Sequence, residues 1–363
     1  MSSAAFGTGS LYFVPSSVSG LDRQKDVSAA LNKIPGILKL EDCEFLDRRT
    51  DTGLRSRMSL PRHLSESLPA HGFVRLHMRI SIDKQKEYLQ GNEPATGTEY
   101  FTVFIRYGPY IPTTLVMCHD ATPDSRPSQS LYVVKSHMKE WWEANKVKQE
   151  TGVSLQWRFP FPFPLDTAIM PTSSKQRFAS SRTTLTPSRK DIILYSRDRF
   201  ATKSHDDILY ELQKSIQAQL SYTFYTALLR DERREKSVLV YANAQKLIES
   251  HSSDGLSGQA KRLFQGKEAQ DVSIEVLTAK METREDLEFH QKRLPEIKAF
   301  AEIIVLADIM DAFSSETFDA ELSYSERVLD VIETRRRSDF QVYIAAIIAL
   351  LVALATILSN VFR

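Results

Sequence analysis

The stretch from Phe340 to Phe362 constrains this chain more than any other. It reads FQVYIAAIIALLVALATILSNVF and carries no charge over 23 residues; about 20 apolar residues suffice to cross a bilayer as a helix. Each Leu, Ile, Val or Phe favours insertion by about 0.3–0.6 kcal/mol. A buried core helix is normally shorter or amphipathic. Here Gln341, Thr356, Ser359 and Asn360 supply the polar groups, and they sit near the ends. Residues 340–362 are therefore predicted to form a single C-terminal transmembrane helix, with the lipid bilayer as partner.

Charge predicts its orientation. Arg335, Arg336 and Arg337 precede the span and Arg363 follows it. The positive-inside rule places residues 1–338 in the cytoplasm. The three arginines would meet anionic headgroups, at about 1 kcal/mol each near the surface. A span placed last in the chain is expected to insert late, as in tail-anchored proteins. Within it, Ala345, Ala349, Ala353, Thr356 and Asn360 recur at steps of four, four, three and four. Small residues let helix backbones approach closely, so this stripe predicts self-association into a homo-oligomer.

The preceding chain is long enough for two further domains, and 42% hydrophobic residues are enough for a sizeable core. A net charge of +1 gives no ground for nucleic-acid binding. The two cysteines, Cys43 and Cys118, show no metal-ligand spacing and fit a reducing compartment. The predicted class is α+β. A β-rich α/β cytoplasmic domain would cover 11–200 behind a disordered leader at 1–10. A helical domain and stalk would follow at 203–338.

Within the first domain the clearest signal is FVRLHMRISI at 73–82. Its period of two puts Phe73, Arg75, His77, Arg79 and Ser81 on one wet face. Val74, Leu76, Met78, Ile80 and Ile82 form an apolar one. Further strands are expected at Leu11–Val14, Ile37–Leu46, Tyr100–Tyr107, Thr114–Cys118, Leu131–Val134 and from Asp191, with a helix over Lys135–Lys148. In LQWRFPFPFPL, Pro160, Pro162 and Pro164 remove alternate amide donors, which leaves only an edge strand or polyproline II. The Ser-, Thr- and Arg-rich residues 170–190 read as a mobile loop. After Thr202 the period changes. Ser204-His205-Asp206-Asp207 reads as a helix start, and apolar residues then recur at three and four up to about Ser250. Residues 259–295 are helical in pattern, and Pro295 should kink or restart the path. From Phe318 to Glu333 a helix leads into the span. Phe318, Leu322, Ser325, Leu329 and Ile332 share a face, the pattern of a short coiled-coil seam or of a helix packed on its own domain.

The sequence offers little chemistry. Gly-rich phosphate loops, GxSxG, HExxH and paired CxxC are absent. Two His-Asp pairs occur, His119-Asp120 and His205-Asp206. Metal-dependent phosphohydrolases use such a pair with further ligands, which cannot be placed here, so both read as solvated turns. Cys118 reads as core. No catalytic, cofactor-binding or metal-ligating residue and no cofactor is assigned. The basic residues Arg75, His77 and Arg79 form a candidate anion-binding face.

The order of an α/β domain, long charged helices and a C-terminal span resembles CorA-type ion channels. Those channels have two spans joined by a Gly-Met-Asn loop. This chain has one span and lacks the tripeptide, so the resemblance implies neither transport nor site residues. The leading expectation is a membrane-tethered, non-enzymatic interaction or sensor protein that recognises a protein or small ligand. A membrane-perturbing effector activated by clustering is the first alternative. An enzyme is the second, and it would require His, Asp or Glu residues converging on a pocket.

Overall fold

The computed structural model describes residues 4–17, 19–46, 68–69, 71–89, 96–108, 111–119, 129–158, 166–184, 189–251, 266–299 and 319–361. In chain order these form β1 (Ala4–Pro15), α1 (Gly20–Leu31), β2 (Ile37–Phe45), β3 (Gly72–Arg79), α2 (Ile82–Tyr88), β4 (Tyr100–Tyr107) and β5 (Thr113–Cys118). Then come α3 (Ser130–Ala144), α4 (Val147–Thr151), β6 (Val153–Arg158), β7 (Asp166–Thr172), β8 (Phe178–Thr184) and β9 (Arg189–Ser196). Three long helices complete the order: α5 (His205–His251), α6 (Gly266–Ala299) and α7 (Asp319–Val361). The class is α+β. The chain divides into two compact units, Met1–Leu228 with Arg293–Ser314, and Leu229–Lys292 with Ser315–Arg363.

The first unit is built on one nine-stranded sheet, ordered β2-β3-β4-β5-β1-β7-β9-β8, with β6 also paired to β1. All the strand pairs are antiparallel except β7 with β9. The centre of the sheet is β1. Its first half pairs with β5 from Ala5 to Gly9, and its second half pairs with β6 from Ser10 to Pro15. Beyond Gly9, β5 no longer offers backbone partners to β1, and side chains take over. Thr114 Oγ1 accepts from Leu11 N at 3.0 Å and its hydroxyl donates back to Leu11 O. Tyr107 OH accepts from Phe13 N at 2.9 Å and donates to Phe13 O at 2.8 Å. Each buried peptide group is thus satisfied, as buried backbone must be.

Helices cover both faces. On one, α1 and α3 pack against β1, β2 and β5. Gly9 permits this approach, because a Cβ there would lie 2.0 Å from Leu131 Cδ2. Phe13 stacks on Trp142 at 5.6 Å, and the indole donates to Val153 O at 3.2 Å. On the other face lies the first half of α5. Gln213 Nε2 donates to Phe104 O at 3.2 Å and Thr113 O at 3.1 Å, Gln217 Nε2 to Tyr107 O at 2.8 Å, and Ser221 Oγ to Ile111 O at 2.6 Å. These bonds explain why the unit boundary falls at Leu228 and not near residue 200.

Several sequence expectations are corrected here. Residues 4–10 are no disordered leader but half of the central strand, with Ala5 to Ser10 buried. Their small side chains carry little hydrophobic signal, yet they suit a strand crossed closely by a helix. The Ser- and Thr-rich run at 170–190 contributes to β7, β8 and the start of β9. Threonine's branched Cβ favours extended backbone, which composition alone had suggested was loop. Leu131–Val134 is helical, the first turn of α3. Residues 159–165, with the three prolines, lie outside the described residues, as do 301–318.

In the second unit the latter part of α5, α6 and the start of α7 share a small apolar core. Val240, Ala244 and Leu247 meet Val272, Val276 and Ala279, and Leu322, Val328 and Ile332 join them. The stripe on α7 is therefore spent within the chain. Leu322, Ser325 and Ile332 are buried and Leu329 packs at the margin, which fits a helix packed on its own domain. Around this core run surface ion pairs, Lys236–Glu282 and Lys280–Glu326. Pro295 lies inside α6.

Beyond Ile332 the character of α7 changes. Every residue from Phe340 to Leu358 is exposed. An 18-residue window there has a mean hydropathy of 2.5, with none of it buried. One continuous helix thus carries a packed segment and a segment long and apolar enough to cross a membrane.

Candidate functional site

The face of β3, β4 and β5 turned toward α5 carries the chemistry. The antiparallel register places His77 opposite Thr102. His119 follows β5 and extends its ladder through a bond from its N–H to Tyr100 O at 3.1 Å. Alternation along the strands then puts His77, Thr102 and His119 on one face.

The start of α5 supplies the fourth group. Ser204 caps the helix: its Oγ accepts from Asp207 N at 3.1 Å and its hydroxyl donates to Asp207 Oδ2 at 2.8 Å. This reciprocal cap uses Asp207. Its neighbour Asp206 is left to face the sheet. The nearest ligand-type atoms of His77, His119 and Asp206 all lie within 4.8 Å of one another. His119 Nε2 is 3.8 Å from Asp206 Oδ1. Thr102 Oγ1 sits among them, 3.1 Å from His77 Nδ1, 2.6 Å from His119 Nε2 and 3.4 Å from Asp206 Oδ2.

A second layer of groups orients the first. His77 Nε2 lies 2.7 Å from Glu41 Oε2 on β2. That bond to His77 is the main reason the Glu41 carboxyl is held below the usual carboxylate range, with Arg75 and Lys39 adding to it and burial opposing it. An ionised Glu41 accepts, so Nε2 carries a proton, and in the neutral ring Nδ1 then presents a lone pair toward Thr102. Arg75 braces the same carboxylates, at 3.1 Å from Glu41, 2.6 Å from Asp42 and 3.8 Å from Asp207. Beside it opens a cavity of about 270 Å3, whose charged lining is Asp42, Glu44, Asp207 and Glu211 against Arg75 and Lys203.

Each member of the proposed anion face is therefore held by carboxylates: Arg75 as described, His77 by Glu41, and Arg79 by Glu99 at 2.8 Å. The lining of the neighbouring cavity holds four carboxylates against two cations. Elsewhere, Arg335, Arg336 and Arg337 are exposed on α7 directly before the apolar segment, with Arg337 2.6 Å from Glu333. Ala345, Ala349, Ala353 and Thr356 are exposed on the helix; Asn360 is helical too. The Thr356 hydroxyl donates to Val352 O at 2.8 Å, so its proton is used within its own helix. Cys43 and Cys118 are both buried, and burial pushes the Cys43 thiol up to about 12.

Sequence reasoning missed the convergence of His119 with Asp206. The two belong to different His-Asp pairs, each a poor signal alone, and it is the sheet register that brings one member of each together. A local clue existed: with Cys118 turned to the core, the next residue of an extended strand faces the other way. Neither the family models nor the curated proteins nor the solved structures compared with this chain give a match.

Proposed function

We propose that this is a membrane-anchored interaction or sensor protein. Its sheet unit would bind a ligand or partner, and α7 would tether it to a bilayer. One observation carries the reading: the apolar segment from Phe340 to Leu358 is exposed on every residue. In water such a surface is unfavourable at about 25 cal/mol per Å2, and a bilayer removes that cost. Arg335, Arg336 and Arg337 at its border support a cytoplasmic sheet unit by the positive-inside rule. Leu350→Arg with Leu354→Arg should make insertion less favourable by about 6–8 kcal/mol. Flotation of the full chain with liposomes would read this out. Wild-type protein should float and the variant should stay at the bottom; flotation of both would refute the anchor.

Self-association through the stripe of Ala345, Ala349, Ala353, Thr356 and Asn360 belongs to the same reading. Ala349→Leu with Ala353→Leu keeps the span apolar but fills that face. Energy transfer between labelled copies in liposomes should fall in this variant, and equal transfer would exclude the stripe as the contact.

A further inference from the structure

We infer that His77, His119 and Asp206 form a binding site for a divalent first-row transition cation, with Zn2+ as the reference ion. Three features lead there. The donor set is two imidazoles and one carboxylate, a set common for such ions and unsuited to Mg2+ or Ca2+, which favour all-oxygen shells. Glu41 then stands where an outer carboxylate stands in metal sites: it accepts a hydrogen bond from His77 Nε2–H and leaves Nδ1 to ligate. Finally, the cluster has more lone pairs than protons. Thr102 has a single hydroxyl proton with His77 Nδ1, His119 Nε2 and Asp206 Oδ2 all in reach, while Asp206 Oδ1 is buried and accepts no hydrogen bond. A buried carboxylate oxygen without a donor is costly, and a cation satisfies it.

The geometry is close to what is needed. Tetrahedral ligands at Zn2+ distances lie about 3.4 Å apart, and His119 Nε2 and Asp206 Oδ1 are already 3.8 Å apart. The ligands come from β3, the end of β5 and the first turn of α5, so the ion would pin that helix start onto the sheet. The competing account is an ion pair between a protonated His119 and Asp206, and it needs no metal.

The test uses the full-length, untagged chain in detergent, stripped with EDTA and titrated calorimetrically with Zn2+ and separately with Mg2+. We expect saturable binding of about one Zn2+ per chain, no comparable Mg2+ binding, and ligand-field absorption when Co2+ replaces Zn2+. Asp206→Asn with His119→Gln should abolish binding. Glu41→Gln, which leaves all three ligands in place, should weaken it about 10–100-fold. Circular dichroism checks that each variant is folded. If the double variant does not fold, the wild-type Co2+ spectrum and the Glu41→Gln affinity still decide. Absence of saturable Zn2+ binding to the wild type overturns the site and leaves the ion pair. So does unchanged affinity in the folded double variant, or in Glu41→Gln.

Discussion

The two units solve the problem of burial in opposite ways. The sheet unit buries many polar groups and ties several of them to backbone atoms of other elements. Thr114, Gln213 and Tyr107 do this across long sequence separations, and Gln85 does it locally, bridging Ile80 and Thr98. Among the described residues of the helical unit, the core is a few aliphatic side chains framed by partly exposed ion pairs. Buried hydrogen bonds have few alternatives and specify one arrangement, whereas aliphatic contacts and surface pairs tolerate exchange. The contrast matches the division of labour proposed above: the unit that must hold ligand atoms to within an ångström is the one built from directional bonds.

The largest effect should come from cutting one of those bonds. Gln85 is fully buried. Its Nε2 donates to Ile80 O at 2.9 Å and Thr98 O at 2.6 Å, and its Oε1 accepts from Thr96 Oγ1 at 2.8 Å. Gln85→Ala would leave two carbonyls without this donor and open a small cavity. We expect a loss of about 3–5 kcal/mol in the sheet unit. Hydrogen exchange read by mass spectrometry should show protection falling in β3 and β4 while α6 is unchanged. A loss below about 1 kcal/mol would mean that the polar bonds do not set this unit's stability.

Next in size is a dependence on pH. His137 on α3 is buried, with the Pro35 carbonyl 2.8 Å from its Nε2 and Tyr88 OH 3.1 Å from Nδ1. Burial is the main cause that holds its pKa below the ordinary histidine value. A folded pKa lower than the unfolded one means that the neutral ring's stability is complete above about pH 6.5. It is lost as pH falls through the folded value, because protons then favour the unfolded chain. Denaturation of the wild type at pH 7.5 and 5.5 should therefore show a drop that His137→Gln reduces. An identical drop in both would assign it to other groups.

How far this was legible in sequence follows from the same contrast. Helix periodicity and the apolar span report on neighbours within a few residues, so α5, α7 and the exposed segment could be read directly. The strand β3 was legible for the same reason, through its strict alternation. The central strand β1 was only half seen, because Ala5, Gly7 and Gly9 carry no apolar pattern and matter through what approaches them. The cluster of His77, His119 and Asp206 depends on the pairing of β3, β4 and β5 and on where α5 begins, and no local period encodes that. His77 stands out on the polar face of its strand, and His119 and Asp206 each within a separate His-Asp pair, but nothing local in the sequence joins the three.

The smallest effect is expected where the helical unit relies on charge. Lys236 on α5 pairs with Glu282 on α6, and both side chains are about half exposed, at 52% and 43%. Water and salt screen such a pair, and ordering two long side chains offsets much of the attraction. A double-mutant cycle of Lys236→Met and Glu282→Gln should give a coupling of about 0.2–1 kcal/mol, shrinking toward zero in 1 M salt. By comparison Val276→Ala, in the buried cluster on the same helix, should cost about 1–3 kcal/mol and respond little to salt. Local hydrogen exchange in α6 measures both. If the ion pair outweighed the valine, the helical unit would depend on directional contacts after all, and the distinction between the two units would fail.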